Sequence, residues 1–131
     1  MSNTAAMSLS LLLLLLVALA NAEVINYHTC TGTEEQCSID EVRVDPCPQA
    51  LENTACRIRR RRPADMTFKF TPKFDAEKLD ASLNWVKSET ELLPLVTLEQ
   101  DACNTYTIRW ALKDPVSSKR CCFNIDIKVV R

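Results

Sequence analysis

The side chains best placed to do chemistry in this chain are Cys30, Cys37, Cys47, Cys56, Cys103, Cys121 and Cys122. Thiols can attack, bind metal or oxidise, and the surrounding sequence weighs against the first two. Nucleophilic catalysis needs a base beside the nucleophile, and the single imidazole, His28, reads as a surface residue near the start of the folded region. A zinc site wants four close ligands at spacings such as Cys-x-x-Cys, and no such pair occurs. Carboxylates are plentiful, but acid–base work needs a pair held in a cleft. Asp75, Glu77 and Asp80 read instead as one solvated loop face. A lone glycine, Gly32, excludes glycine-rich phosphate loops. The expectation is a protein that is not an enzyme, with no metal and no cofactor, whose cysteines form cross-links.

Cross-linking depends on compartment, and the first residues address that. Residues 11–20 are unbroken Leu, Val and Ala, followed by Asn21, Ala22 and a charged Glu23. This apolar core ending in an Ala-x-Ala site predicts a secretory signal peptide over 1–22, cut after Ala22, and a folded domain over 23–131. The run is about half of the ~20 apolar residues that a membrane span requires. Secretion to the extracellular space is the expected destination, and the lysosomal lumen is compatible with it. In such compartments cysteines pair by default, each bridge contributing about 2–4 kcal/mol. Seven is odd, so at least one thiol is unpaired or bonds outside the chain. The 16 basic and 17 acidic residues nearly cancel, which argues against nucleic acid as a partner.

The elements that must position these cysteines show period-two patterning. Met66, Phe68 and Phe70 share one face of a predicted strand. Leu79, Ala81, Leu83 and Trp85 share another, as do Tyr106, Ile108, Trp110 and Leu112. Cys121, Phe123, Ile125, Ile127 and Val129 form the last, and Val42-Arg43-Val44 reads as a short early strand. Asp45-Pro46, Arg62-Pro63, Thr71-Pro72 and Asp114-Pro115 mark turns. No sustained helical stripe appears. The fold class expected is all-β, an antiparallel sandwich or barrel.

Two segments stand apart. Leu93, Leu95 and Thr97 alternate with Pro94, Val96 and Leu98, a predicted strand apolar on both faces and broken by a proline suited to an edge. It either crosses the core or lines a cavity mouth. Arg57-Ile58-Arg59-Arg60-Arg61-Arg62 admits three readings. These are a solvated loop, a positive field drawing anionic headgroups or glycans, and a convertase site disfavoured by Pro63.

Several motifs in order resemble the ML lipid-recognition domain, the family of the Niemann–Pick type C two-like sterol carriers. Residues 41–48, Glu-Val-Arg-Val-Asp-Pro-Cys-Pro, followed by Cys56, resemble its early Cys-Pro…Cys loop. Phe68-x-Phe70-x-Pro72-x-x-Asp75 resembles its second strand and turn. Leu93-Pro94-Leu95 ahead of Asp101-Ala102-Cys103 is similar to its Pro-Phe-Pro…Asp-x-Cys. Trp110-Ala111-Leu112-Lys113-Asp114 and residues 122–128 resemble its Trp strand and closing Cys strand.

The resemblance implies an immunoglobulin-like β-sandwich carrying a hydrophobic lipid, a sterol or fatty acid, between its sheets. An anionic membrane surface or a receptor would be a further partner. It implies pairing Cys30 with Cys122 and Cys47 with Cys56; Cys37 and Cys121 are extra to the family pattern and could bond to each other. Phe68, Phe70, Leu83, Trp85, Leu93, Leu95, Ile108 and Phe123 are the expected ligand walls; alternatively they fill a shrunken core. The family carries a partner cysteine and about two strands between Asp-x-Cys and the Trp strand, whereas Cys103-Asn104 runs almost directly into Tyr106. Cys103 is therefore the expected odd thiol, in a sandwich lacking about two strands. The alternative reading is a secreted, disulfide-rich immune-recognition or signalling protein that acts through its surface.

Overall fold

The computed structural model describes residues 23–98 and 104–131. The signal-peptide reading over 1–22 and the expectations for Asp101 and Cys103 lie outside the described residues. Among the described residues nine strands run in chain order: β1 Glu23–Val24, β2 His28–Thr29, β3 Cys37–Asp45, β4 Cys56–Arg59, β5 Asp65–Pro72, β6 Asp80–Ser88, β7 Glu91–Pro94, β8 Thr105–Lys113 and β9 Arg120–Val130. They form two sheets of an immunoglobulin-like β-sandwich. One has three strands in the order β1-β3-β5, and the other has six, β2-β9-β8-β6-β7, with β4 also on β9. All pairings are antiparallel except β4 on β9, which is parallel.

The alternating segments become strands as their period predicts. In β5 the half-buried Met66, Phe68 and Phe70 alternate with exposed Thr67, Lys69 and Thr71. In β8 and β9 the register sets Tyr106 opposite Ile127, Ile108 opposite Ile125 and Trp110 opposite Phe123, so one face of the large sheet is a continuous apolar surface.

Besides the short β1 and β2, which the sequence reading did not include, three elements depart from it. Strand β3 begins at Cys37 rather than Val42, because a bulge between Ile39 and Glu41 shifts its inward phase from Cys37 and Ile39 to Val42 and Val44. An extra residue in one strand breaks a strict period of two, which hides the first half of this strand in the sequence. The strand expected over 93–98 is the short β7 followed by a 3₁₀ turn at Leu95–Thr97, closed by Leu98 N–H donating to Leu95 O at 3.1 Å. Pro94 has no N–H with which to continue a ladder. Strand β4, inside the arginine run, pairs Cys56 with Ile127 and Arg59 with Val130.

Among the described residues three disulfides brace the sandwich: Cys30–Cys122, Cys37–Cys121 and Cys47–Cys56, with Cα–Cα separations of 5.3, 5.1 and 5.1 Å. Successive strand residues face opposite sides, so Cys121 and Cys122 anchor β9 in two directions. Cys121 reaches across to β3 in the other sheet. Cys122 reaches Cys30, just beyond β2 in its own sheet, where Cys30 N–H also donates to Cys122 O at 3.1 Å. The third bridge closes the 3₁₀ turn Pro48–Glu52. Ile25, Val42, Val44, Tyr106, Ile108, Phe123 and Ile125 form the core between the sheets.

Candidate functional site

The two sheets differ in width, and that difference creates the site. Strand β5 is the edge of the narrow sheet. Its Phe68 lies against Trp110 of β8 and Phe123 of β9, with ring centroids 5.3 and 5.1 Å apart. Beyond β5 the narrow sheet has no further strand among the described residues, while the wide sheet continues through β6 to β7. The inward face of that extension can be read from the register. Leu83 is opposite Trp110, Trp85 opposite Ile108 and Leu93 opposite Trp85, so Leu83, Trp85 and Leu93 share the face that Trp110 presents to Phe68.

The eight residues expected to wall a ligand slot fall into three groups. Ile108 and Phe123 belong to the closed core, at 3 % and 2 % exposure. Phe68, Trp85 and Leu95 are partly buried and pack on that core. Phe70 and Leu93 are half-buried, and Leu83 is 37 % exposed; they extend the apolar face outward from the core. The gap among Ile39, Phe68, Trp110 and Phe123 has no room for a water molecule. Where the rings meet, the protein's own side chains fill the interior. The apolar area still open lies toward β6 and β7.

Trp110 was not among the expected wall residues, yet it joins the closed core to the open face. Its alternation with Ile108 marked it as inward-facing; the sequence left its position relative to the narrow sheet's edge undetermined.

The rim of the open face is fixed by polar contacts. Trp85 Nε1–H donates to Thr97 Oγ1 at 2.9 Å, and Thr97 Oγ1–H donates to Pro94 O at 2.7 Å. These bonds tie the 3₁₀ turn to β6 and satisfy the one polar atom of the indole. On the outward face of the wide sheet, Arg109 Nε donates to Asn124 Oδ1 at 2.9 Å. Burial, with the nearby Arg120 charge, lowers the Arg109 pKa. On the narrow sheet's outward face, the Glu41 carboxyl is held below its usual range, first by its hydrogen bond from Arg43 and then also by Lys69. The charged groups of these two clusters lie on the outward faces, while Leu83, Trp85 and Leu93 offer a ligand apolar contact on the inward face, with the Lys87–Glu91 ion pair at its β7 end. Among the described residues, no group of three or more His, Cys, Asp or Glu side chains comes together as a metal site.

Compared with descriptions of known protein families, the chain matches none. Among curated proteins it is similar to the MD-2-related lipid-recognition protein of Manduca sexta. The two are 29 % identical over 136 aligned positions, which cover 85 % of this chain and 88 % of that protein. This similarity supports an ML lipid-recognition domain.

Proposed function

We propose that this protein is a secreted lipid-binding protein that carries a sterol or fatty acid on the inward face of β6, β7 and β8, and that it makes and breaks no covalent bond. The supporting observation is the half-open apolar face of Leu83, Trp85, Leu93 and Phe70, in a chain that aligns along 85 % of its length with a relative named for lipid recognition.

The mechanism is transfer by burial. An acyl chain or sterol ring leaving water gains about 25 cal/mol per Å² of apolar surface covered. A ligand laid between the β5 edge and β7 would also cover the apolar side chains that the narrow sheet leaves exposed. Few polar groups are needed to orient such a guest, in keeping with a face on which the Trp85 indole N–H is already bonded within the protein.

The test is a lipid inventory of the purified secreted protein after denaturing extraction, followed by binding of a fluorescent fatty acid and a fluorescent sterol. Leu83 and Leu92 provide a matched pair of variants. Both are exposed, at 37 % and 40 %, but Leu92 is opposite Val86 and so lies on the outward face. Leu83→Asp is expected to weaken lipid binding at least about tenfold, because a charged group would have to be desolvated beneath the ligand. Leu92→Asp is expected to leave binding unchanged. Equal binding by both variants and the wild type, with no co-purifying lipid, would refute the carrier reading.

A further inference from the structure

The arginine run folds into a recess on the opposite edge of the wide sheet. Strand β4 brings Arg57 and Arg59 to one side of the edge, since residues two apart on a strand project together. A tight turn follows, with Arg62 N–H donating to Arg59 O at 3.2 Å and Arg61 at φ 60°. Arg57, Arg59, Arg62 and Arg131 then surround a recess of about 750 Å³, with Ile58 and Val130 among its apolar lining and Pro46, Pro48 and Pro63 along it. No Asp or Glu among the described residues lines it. Among the described residues, none of these four guanidinium groups forms an ion pair or a side-chain hydrogen bond.

From this geometry we infer a binding site for a phosphate ester, a mono- or diphosphate group carried on a small organic body. Four arginines without ion-pair partners around one concavity suit phosphate, whose oxygens guanidinium groups hold in planar, bidentate geometry. The volume is that of a small-molecule site rather than of a single ion, and the aliphatic lining would cover the body to which the phosphate is attached. Proline fixes φ at three positions along the recess, and the Cys47–Cys56 bridge ties its two flanks. Little backbone freedom is therefore lost on binding. The site lies at the β4 edge, away from the β6–β7 face, and does not depend on the lipid-carrier reading.

The experiment is calorimetric titration of the intact protein with pyrophosphate at physiological salt, using two charge-matched double variants. Arg59→Gln/Arg62→Gln removes two recess arginines. Arg60→Gln/Arg61→Gln removes two neighbours that do not line the recess. All four residues are exposed, and circular dichroism verifies the fold of both variants. The wild type is expected to bind saturably, the recess variant at least about tenfold more weakly, and the neighbour variant within about twofold of the wild type. Equal weakening in both variants would overturn the site in favour of diffuse charge, and so would the absence of saturable binding by the wild type. Co-sedimentation with phosphatidylcholine vesicles containing phosphatidic acid separates the sources. Vesicle binding lost only in the recess variant assigns the phosphate to a lipid headgroup. Pyrophosphate binding without vesicle binding assigns it to a soluble ester.

Discussion

Phe68 and Phe123 meet edge to face across the sandwich, their ring centroids 5.1 Å apart and their planes at 62°. Phe68 comes from the edge strand of the narrow sheet and Phe123 from the most heavily paired strand of the wide one. This contact is where the two layers close. On one side is the sealed core of Val42, Ile108 and Ile125, and on the other is the half-open face proposed to hold lipid.

The contact predicts an order of destabilisation. Phe123→Ala should cost about 3–5 kcal/mol, as for a fully buried phenylalanine. Phe68 is half-buried but touches Phe70, Trp110 and Phe123, so Phe68→Ala should cost less, about 2–3 kcal/mol. Urea unfolding monitored by tryptophan fluorescence gives both values. An equal or larger cost for Phe68 would mean that the rim, rather than the core, carries the join between the sheets.

The two bridges on β9 predict non-additive effects. Their spans in sequence, 92 and 84 residues, nest almost completely. With one bridge in place, the second closes only the short stretch from Cys30 to Cys37. Loop-closure entropy then gives about 2–3 kcal/mol for removing either pair alone and about 6–7 kcal/mol for removing both. Serine pairs at Cys30/Cys122, at Cys37/Cys121 and at all four positions, compared by denaturant unfolding without reductant, measure the difference. Simple additivity would show that the bridges constrain independent parts of the unfolded chain.

Asp114 predicts an acid dependence centred on the β8–β9 connection. Its carboxylate accepts hydrogen bonds from the Ser117 hydroxyl and from the N–H groups of Val116 and Ser117, the last two at 3.0 and 3.1 Å. These bonds, the Ser117 hydroxyl foremost, hold its pKa below the ordinary carboxylate value. A lowered folded-state pKa stabilises the fold fully above the unfolded value of about 4 and progressively less as pH falls through the folded one. The wild type should lose stability as acid is added below about pH 4. Asp114→Asn, which cannot ionise, should lose less over the same range. Urea midpoints at neutral and acidic pH test this, and parallel declines for the two proteins would remove Asp114 from the acid response.

Alternation of apolar and polar residues along 66–70, 79–85, 106–112 and 121–129 was enough to determine an all-β protein, the inward residues of its main strands, and the absence of any helical stripe. That information is local, because a period of two sets the face of each side chain before any partner strand is chosen. The period fails at the Asp40 bulge, and the first half of β3 was invisible for that reason. Strand β4 was hidden because a row of arginines reads as a solvated loop until Ile58 and Cys56 find β9 beside them. Tertiary structure alone decided which layer ends first. That the narrow sheet stops at β5 while the wide one runs on to β7 is a matter of strand order, which no local pattern encodes. The same order seals Phe123 in the core and leaves Leu83 at the surface, although the sequence presents both as inward members of alternating strands.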